Sequence, residues 1–397
     1  MKKTLAAVAV LGAFAGSAMA ANVSLYGSVS TGLLLQHSKS VTEFNEEANA
    51  EVNVARTNKF GMESAWYGDS IWGLTGEEEL GNGWKVGFTL ENEFGSDDGS
   101  LAGGEDNKLF DSQAYLKLTN DTFTVAAGRL GGLDSAGGDF DLVGGFDPLE
   151  AAFGVGGMGT FYSRDYTYDN AVVFSVAPVD GLTVSAMASF GDDSNAGWSQ
   201  RNHYYALGAL YENGPLAVGL TGSWLKYQNA SLAEDDDTTT PFSADDAYTV
   251  TLGASWDFDF VKPMFMYQHA DKVRGFQDED NVTEADDNSY AKFDSFLLGA
   301  TAPLGDGTLM ASAQYVKAKV YNVTEEGKDS SKADAWVLGV AYNYELSKRT
   351  SLYAGATYAW GNDGLDTKFN KNVDAFGTDM RQTFNGYQIG FGLNHTF

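Results

Sequence analysis

Few side chains in this sequence are of a type and spacing that suits catalysis. The four histidines, His37, His203, His269 and His395, lie in separate segments without metal-ligand spacing, and there is no cysteine. No zinc ribbon, disulfide scaffold or cysteine nucleophile is therefore available. Gly154, Gly156 and Gly159 spell GxGxxG, but no strand-to-helix context or trailing acidic residue accompanies them, so loop flexibility is the better reading than a dinucleotide site. Neither a G-x-S-x-G elbow nor a phosphate-binding P-loop occurs. What the chain has in excess is fixed negative charge. Clusters such as Glu234-Asp235-Asp236-Asp237 and Asp278-Glu279-Asp280 with Asp286-Asp287 read as solvated loop faces, or as sites where divalent cations bridge carboxylates. The second departs from a calcium-loop pattern, because Val282 stands where the third ligand belongs and the required glycine is missing. The chemistry on offer is that of charges acting on passing ions; no metal site and no cofactor is expected.

The whole composition agrees. The 397 residues carry 54 Asp and Glu against 25 Lys and Arg, a formal net charge of −29, which excludes nucleic acid as a partner because that affinity comes from basic groups neutralising phosphates. With 25 Phe, 20 Tyr and 8 Trp the chain has too much large apolar surface for a disordered acidic polymer.

The elements that position these charges follow from periodicity. Met1-Lys2-Lys3, an apolar run from Thr4 to Gly16 and Ala18-Met19-Ala20 read as a secretory signal peptide over residues 1–20, the run being short for a spanning helix. Thereafter the hydrophobic period is 2. From Thr383 to Phe397, Tyr387, Ile389, Phe391, Leu393 and Phe397 share one side, with Gln388, Gly390, Gly392, Asn394 and Thr396 on the other. Tyr248–Phe258 and Asp334–Tyr344 repeat the pattern, as strands with one apolar face must. Connections alternate between short turns, such as Gly81-Asn82-Gly83 and Gly305-Asp306-Gly307, and long loops, among them roughly 39–70, 131–167 and 322–334.

Seven short turns and eight long loops leave sixteen strands, and most carboxylates fall in the long loops. A secreted sandwich would set Lys, Glu and Arg on its solvent face; here that face is mostly Gly, Ser, Thr, Asn, Gln and Ala. An outward apolar band with aromatic ends, and short turns opposite long loops, fit an all-β, sixteen-stranded antiparallel transmembrane barrel over residues 21–397. The alternation after Tyr315 slips by one, so a bulge is expected near Lys317 and Lys319.

Five segments resemble the general porins of Gram-negative bacteria, of the type common in betaproteobacteria. They are VSLYGSVSTGL from Val23, GLTGEEELGNGWKVGFTLENEF from Gly73, LFDSQAYLKLTNDTFTVAAGRL from Leu109, RDYTYDNAVVFSVAP from Arg164 and the closing YQIGFGLNHTF. The resemblance implies a homotrimeric, water-filled channel in the outer membrane, among lipid and lipopolysaccharide, with the terminal Phe397 read by the barrel-assembly machinery. It further implies that the third long loop, 131–163, folds inward and narrows the pore. Its carboxylates Asp134, Asp139, Asp141, Asp147 and Glu150 would then face basic groups on the barrel wall. Arg129 and Arg164 stand where such porins place wall arginines, and Lys85 and Lys117 alternate onto the polar face; structural ion pairing is the alternative for all four.

Where the family usually reads Ser-Arg-(Leu or Ile)-Gly-Phe-(Lys or Arg)-Gly, this chain has Ser70-Ile71-Trp72-Gly73-Leu74-Thr75-Gly76. Two expected wall cations are gone, so the constriction is expected to favour cations. Passive diffusion of ions and small hydrophilic solutes is the leading expectation. The alternative is a channel of the same fold selective for a dicarboxylate or sugar, with Tyr26, Tyr115, Tyr162 and Tyr353 as candidate lining. An adhesin or phage receptor built from the acidic loops is compatible with either.

Overall fold

The computed structural model describes residues 22–45, 50–101, 108–157, 162, 167–191, 202–227, 229–233, 239–243, 245–273, 290–324, 327–362 and 383–397. The signal-peptide segment 1–20 and Arg164 lie outside them. Six strands precede the third long connection: β1 (Asn22–Asn45), β2 (Ala50–Ser64), β3 (Ile71–Gly81), β4 (Trp84–Glu93), β5 (Gln113–Thr119) and β6 (Phe123–Gly131). After it come β7 (Thr167–Val179), β8 (Leu182–Ser189), β9 (His203–Asn213) and β10 (Leu216–Lys226). A small separate hairpin pairs β11 (Asn229–Ala233) with β12 (Thr239–Ser243). The last seven are β13 (Ala247–Trp256), β14 (Lys262–Val273), β15 (Tyr290–Leu304), β16 (Gly307–Thr324), β17 (Gly327–Ser347), β18 (Thr350–Asn362) and β19 (Thr383–Thr396).

Strands adjacent in the chain pair antiparallel around a closed barrel. Closure is made by β19 on β1, from Ser28 opposite Thr396 to Val41 opposite Thr383, and the terminal Phe397 N–H donates to the Gly27 carbonyl at 2.9 Å. Among the described barrel strands no sheet edge is left for lipid to desolvate. The barrel has sixteen positions because β2 and β3 share one. The outer half of β1 pairs with β2 and its first seven residues, Asn22 to Ser28, with β3. Between them the chain breaks from the wall at Ala65 (φ 54°) and Gly68 (φ 70°), and this break carries the buried Trp66.

Two segments expected as long loops are strand instead. β1 runs on to Asn45 against β2, and β16 and β17 continue together until residues 325–326. Alternation reports which face is buried, whereas the backbone ladder persists above the membrane where both faces are polar. β16 also pairs on both sides without a register shift. The bulge expected near Lys317 and Lys319 is therefore absent: both lie on the same outward parity as Tyr315, in the part of the strand that has left the apolar band.

The outward face is lipid-compatible and banded. Tyr267, Phe296, Tyr315, Trp336 and Trp360 are cross-strand partners on five successive strands. Neighbouring rings in this row stand 4.6 to 6.5 Å apart. Leu338 and Val340, both exposed, follow Trp336 outward, and Tyr344 closes the band near the short-turn rim. The eight steps from Trp336 to Tyr344 span about 26 Å along the strand, or about 20 Å of height at the usual tilt, close to the ~25 Å apolar band of such barrels.

Candidate channel constriction

The third long connection leaves β6 at Gly131 and lies against the inner wall. Leu133, Val143, Leu149 and Phe153 are fully buried, each worth roughly 1.5–3 kcal/mol in burial. Their seats are glycines on the inward parity of successive strands. A methyl group at Gly208 would meet Leu142, at Gly253 the Phe146 ring, at Gly299 Pro148, at Gly339 Leu149 and at Gly355 Phe153. On the far side the Phe153 N–H donates to the Trp66 carbonyl at 2.6 Å, and the Phe153 ring packs between Trp66 and Tyr67 at 5.2 and 5.0 Å. The break between β2 and β3 is thus the clamp for the loop. Val155 N–H donates to Gln388 Oε1 at 3.2 Å, and Gln314 Nε2 donates to the Gly157 carbonyl at 3.0 Å. The loop follows the wall from β9 to β19 and leaves the β1, β3, β4 and β5 side open.

That open side is a passage of about 650 Å³ between residues 135–139 of the loop and the wall. Five carboxylates line it, from Asp69, Glu91, Glu93, Asp111 and Asp139, against one ammonium, Lys117. Ile71 and Thr75, the two positions that depart from the family pattern, line it too. Glu91 accepts from Tyr26 Oη at 2.8 Å and from Ser112 Oγ at 2.6 Å. Asp139 accepts from Tyr115 Oη, and its own N–H donates to Gln113 Oε1 at 3.3 Å. The carboxylates on both sides of the passage are thus held in place by neighbouring wall groups.

The other four acidic loop residues have different surroundings. Asp134 is buried and accepts from Tyr204 Oη at 3.2 Å. Asp141 caps the next turn, accepting from the N–H groups of Val143 and Gly144 at 3.0 and 2.8 Å. Asp147 does the same for Leu149 and Ala151 at 3.0 and 2.9 Å. Asp141, Asp147 and Glu150 border a second space of about 400 Å³, facing Lys262. Glu150 sits at a left-handed position, φ 56°, followed by Ala151 at 58° and Phe153 at 59°, a run of backbone strain held by the packing around it. Burial pushes the Glu150 carboxyl above the ordinary carboxylate range, Asp147 pushes it further, and a hydrogen bond from Tyr67 opposes both.

The basic residues expected on the wall divide. Lys117 lines the passage. Lys85 sits near the short-turn rim, bonded to Glu77 at 2.8 Å and Glu79 at 3.5 Å. Arg129 lies on the face opposite Gly128 and Leu130, which pack inward; its guanidinium donates to Asp169 at 2.7 Å and to the Asp111 carbonyl at 2.6 Å. Lys108 joins the same Asp169 at 3.0 Å. This is the ion-pair alternative rather than a wall cation facing the loop, and the reason is parity: the strand keeps its alternation through Leu130 because the extra residue of the local bulge sits on β7.

Of the candidate lining tyrosines, Tyr26 reaches the passage. Tyr353 is buried beside Phe153, and Tyr162 donates to the Met266 carbonyl at 3.0 Å. Sequence reasoning missed Glu91 and Glu93. Their signal was present, since they share the polar parity of Lys85 and Thr89 along β4.

A closed antiparallel barrel with a lipid-facing apolar band and a charged inner passage defines a channel of the outer membrane. The chain belongs to the Gram-negative porin family, whose profile matches residues 6–365. Over its full length it is 32% identical to an outer membrane porin protein of Bordetella pertussis, also covered in full, and 28% identical to outer membrane porin protein 32 of Delftia acidovorans, again with both chains covered. Among solved structures it resembles the anion-selective porin from Comamonas acidovorans, with a TM-score of 0.61 at 22% identity, covering 95% of this chain and 100% of that one. It is an outer-membrane porin.

Proposed function

We propose that this porin passes ions and small hydrophilic solutes by passive diffusion and prefers cations, with residues 1–20 acting as the export signal and three copies forming the working unit. One observation carries the preference: five carboxylates on both sides of the passage face a single ammonium. A cation crossing there gains attraction from both sides, while an anion meets Lys117 alone. Asp139, Glu91, Glu93, Asp69 and Asp111 are the residues assigned to selectivity. Asp134, Asp141 and Asp147 serve loop shape instead, and Arg129 and Lys85 serve as structural pairs. The Comamonas porin bears an anion-selective description, but at that identity the likeness speaks to fold, and the ion choice follows from each chain's own passage. A dicarboxylate would meet a passage of its own sign.

The test is the reversal potential of the purified protein in a planar bilayer under a KCl gradient. A potential of the sign set by potassium supports the reading; one set by chloride defeats it. Solute flux that stays linear with concentration supports passive diffusion, whereas saturating block by a single sugar or dicarboxylate favours a substrate-selective channel.

A further inference from the structure

Three lysines stand side by side on the outer wall. The ladders place Lys292 opposite Lys319 and Lys319 opposite Lys332, so three consecutive strands carry an ammonium at one level, about 4.8 Å from strand to strand. Their chain neighbours Ala291, Phe293, Ala318 and Ala333 are buried on the inner face, which puts the lysines on the outward one.

Like charges directly opposite each other weaken a sheet, and this chain has only 25 basic residues to place against 54 acidic ones. Lys292 reaches Asp271 at 3.3 Å and Lys319 lies 4.6 Å from the centre of the Tyr321 ring. Among the described residues neither Lys319 nor Lys332 has a carboxylate in an ion pair. Lys317, one step below, differs: its ladder partners are Asp294 and Asp334.

The level of the row indicates what it meets. Lys292, Lys319 and Lys332 each lie four residues beyond a member of the aromatic row, Phe296, Tyr315 and Trp336. That is about 13 Å along the strand, or about 10 Å of height at the usual tilt. It is the long-loop side of the barrel, opposite the rim where both chain ends meet. Aromatic belts sit at headgroup level, so the row stands above a simple phospholipid's phosphates and within reach of those on a large saccharide headgroup.

We propose that the Lys292, Lys319 and Lys332 row docks the phosphate groups of lipopolysaccharide in the outer leaflet. The surface depends on the barrel's place in the membrane and is independent of its ion preference. Bound phosphates would relieve the repulsion between the ammonium groups.

The test compares the purified full chain with K292Q/K319Q/K332Q for affinity towards lipopolysaccharide and towards the same lipopolysaccharide stripped of phosphate. At roughly 1 kcal/mol per basic residue near an anionic surface, each lysine is worth about five-fold and the triple about 100-fold. The expected result is a loss of that order for the phosphorylated form, little change for the stripped form, and an unchanged reversal potential. K348Q/R349Q, on a short turn of the opposite rim, should bind as the parent does. Equal affinity of the triple variant and the parent, or a parent that does not distinguish the two glycolipids, overturns the proposal. So does a triple variant that loses oligomers while keeping its affinity, which would assign the row to the acidic loops of a second copy. Should the triple fail to insert, K319Q and K332Q singly, both at positions with no ion pair among the described residues, give the same reading.

Discussion

At the residue scale, the proposed cation preference rests on a few carboxylates whose partners fix their direction. Glu91 is held by Tyr26 and Ser112, so Glu91→Gln keeps its shape and removes one charge. Unit charges about 4 Å apart in water interact by ~1 kcal/mol, so the potassium-to-chloride permeability ratio should fall by up to about five-fold, read from the reversal potential. The converse change, Ile71→Arg with Thr75→Lys, restores the family's wall cations to two positions that line the passage and should move the reversal potential towards chloride.

Acid should act in the same sense as Glu91→Gln. The proposed preference needs the carboxylates ionised and should fade as pH falls. Glu150, raised by burial, stays protonated to higher pH than an ordinary carboxylate. Glu150 borders the second space beside Lys262, so Glu150→Gln should remove a part of the change in reversal potential that lies above the ordinary carboxylate range; an identical pH profile in the variant would show that Glu150 does not act on the ions. The loop acids were legible in sequence because the family resemblance marks the third long loop that carries them. Glu91 and Glu93 were not picked out, because a carboxylate on the polar parity of a strand has the same pattern whether it meets water or a pore. Arg129 misled for a related reason: only the ladder shows that its neighbours turn inward.

At the element scale, the constriction exists because a loop with its own apolar side chains is seated on wall glycines. The inward glycines read in sequence as a polar face without bulk; the structure turns them into sockets for Phe146, Leu149 and Phe153. Strands and short turns were legible because one face is lipid-exposed and the turns need positive φ, as at Asn82 (52°) and Gly83 (77°). The break between β2 and β3 was not, since Trp66 and Tyr67 look like any aromatic pair near a girdle and gain their meaning only from Phe153. Truncating a buried Phe costs typically 3–5 kcal/mol. Phe153→Ala should thus unseat the last part of the loop and raise both single-channel conductance and the size limit in a liposome-swelling assay. Gly253→Val, which drives a side chain into the Phe146 ring, should disturb the first part of the docked loop in the same way. Unchanged conductance in both variants would mean that the loop does not set the limit.

At the scale of the whole molecule, the charge of −29 and the closure of the barrel are separate matters. Charge is a property of loops and lumen, while closure depends on the meeting of the two ends of the chain. Closure was foreseeable from an even strand count, which puts the first and last strands on the same rim. The register from Ser28 opposite Thr396 to Val41 opposite Thr383 was not, since any even shift would keep the same residues facing lipid. Phe397 contributes to that register directly. Its N–H donates to the Gly27 carbonyl at 2.9 Å, the Gly27 N–H returns a bond to its carbonyl at 3.4 Å, and its ring fills the space that a side chain at Gly27 would need. Deleting Phe397 removes the last rung of the seam and the terminal side chain that the family resemblance offers to the assembly machinery. The expected outcome in cells is a large fall in heat-modifiable, membrane-inserted barrel. Refolding the purified deletion variant in detergent separates the two roles: near-parent yield there, with the loss confined to cells, assigns Phe397 to recognition by the machinery, whereas equal loss in both assigns it to the seam.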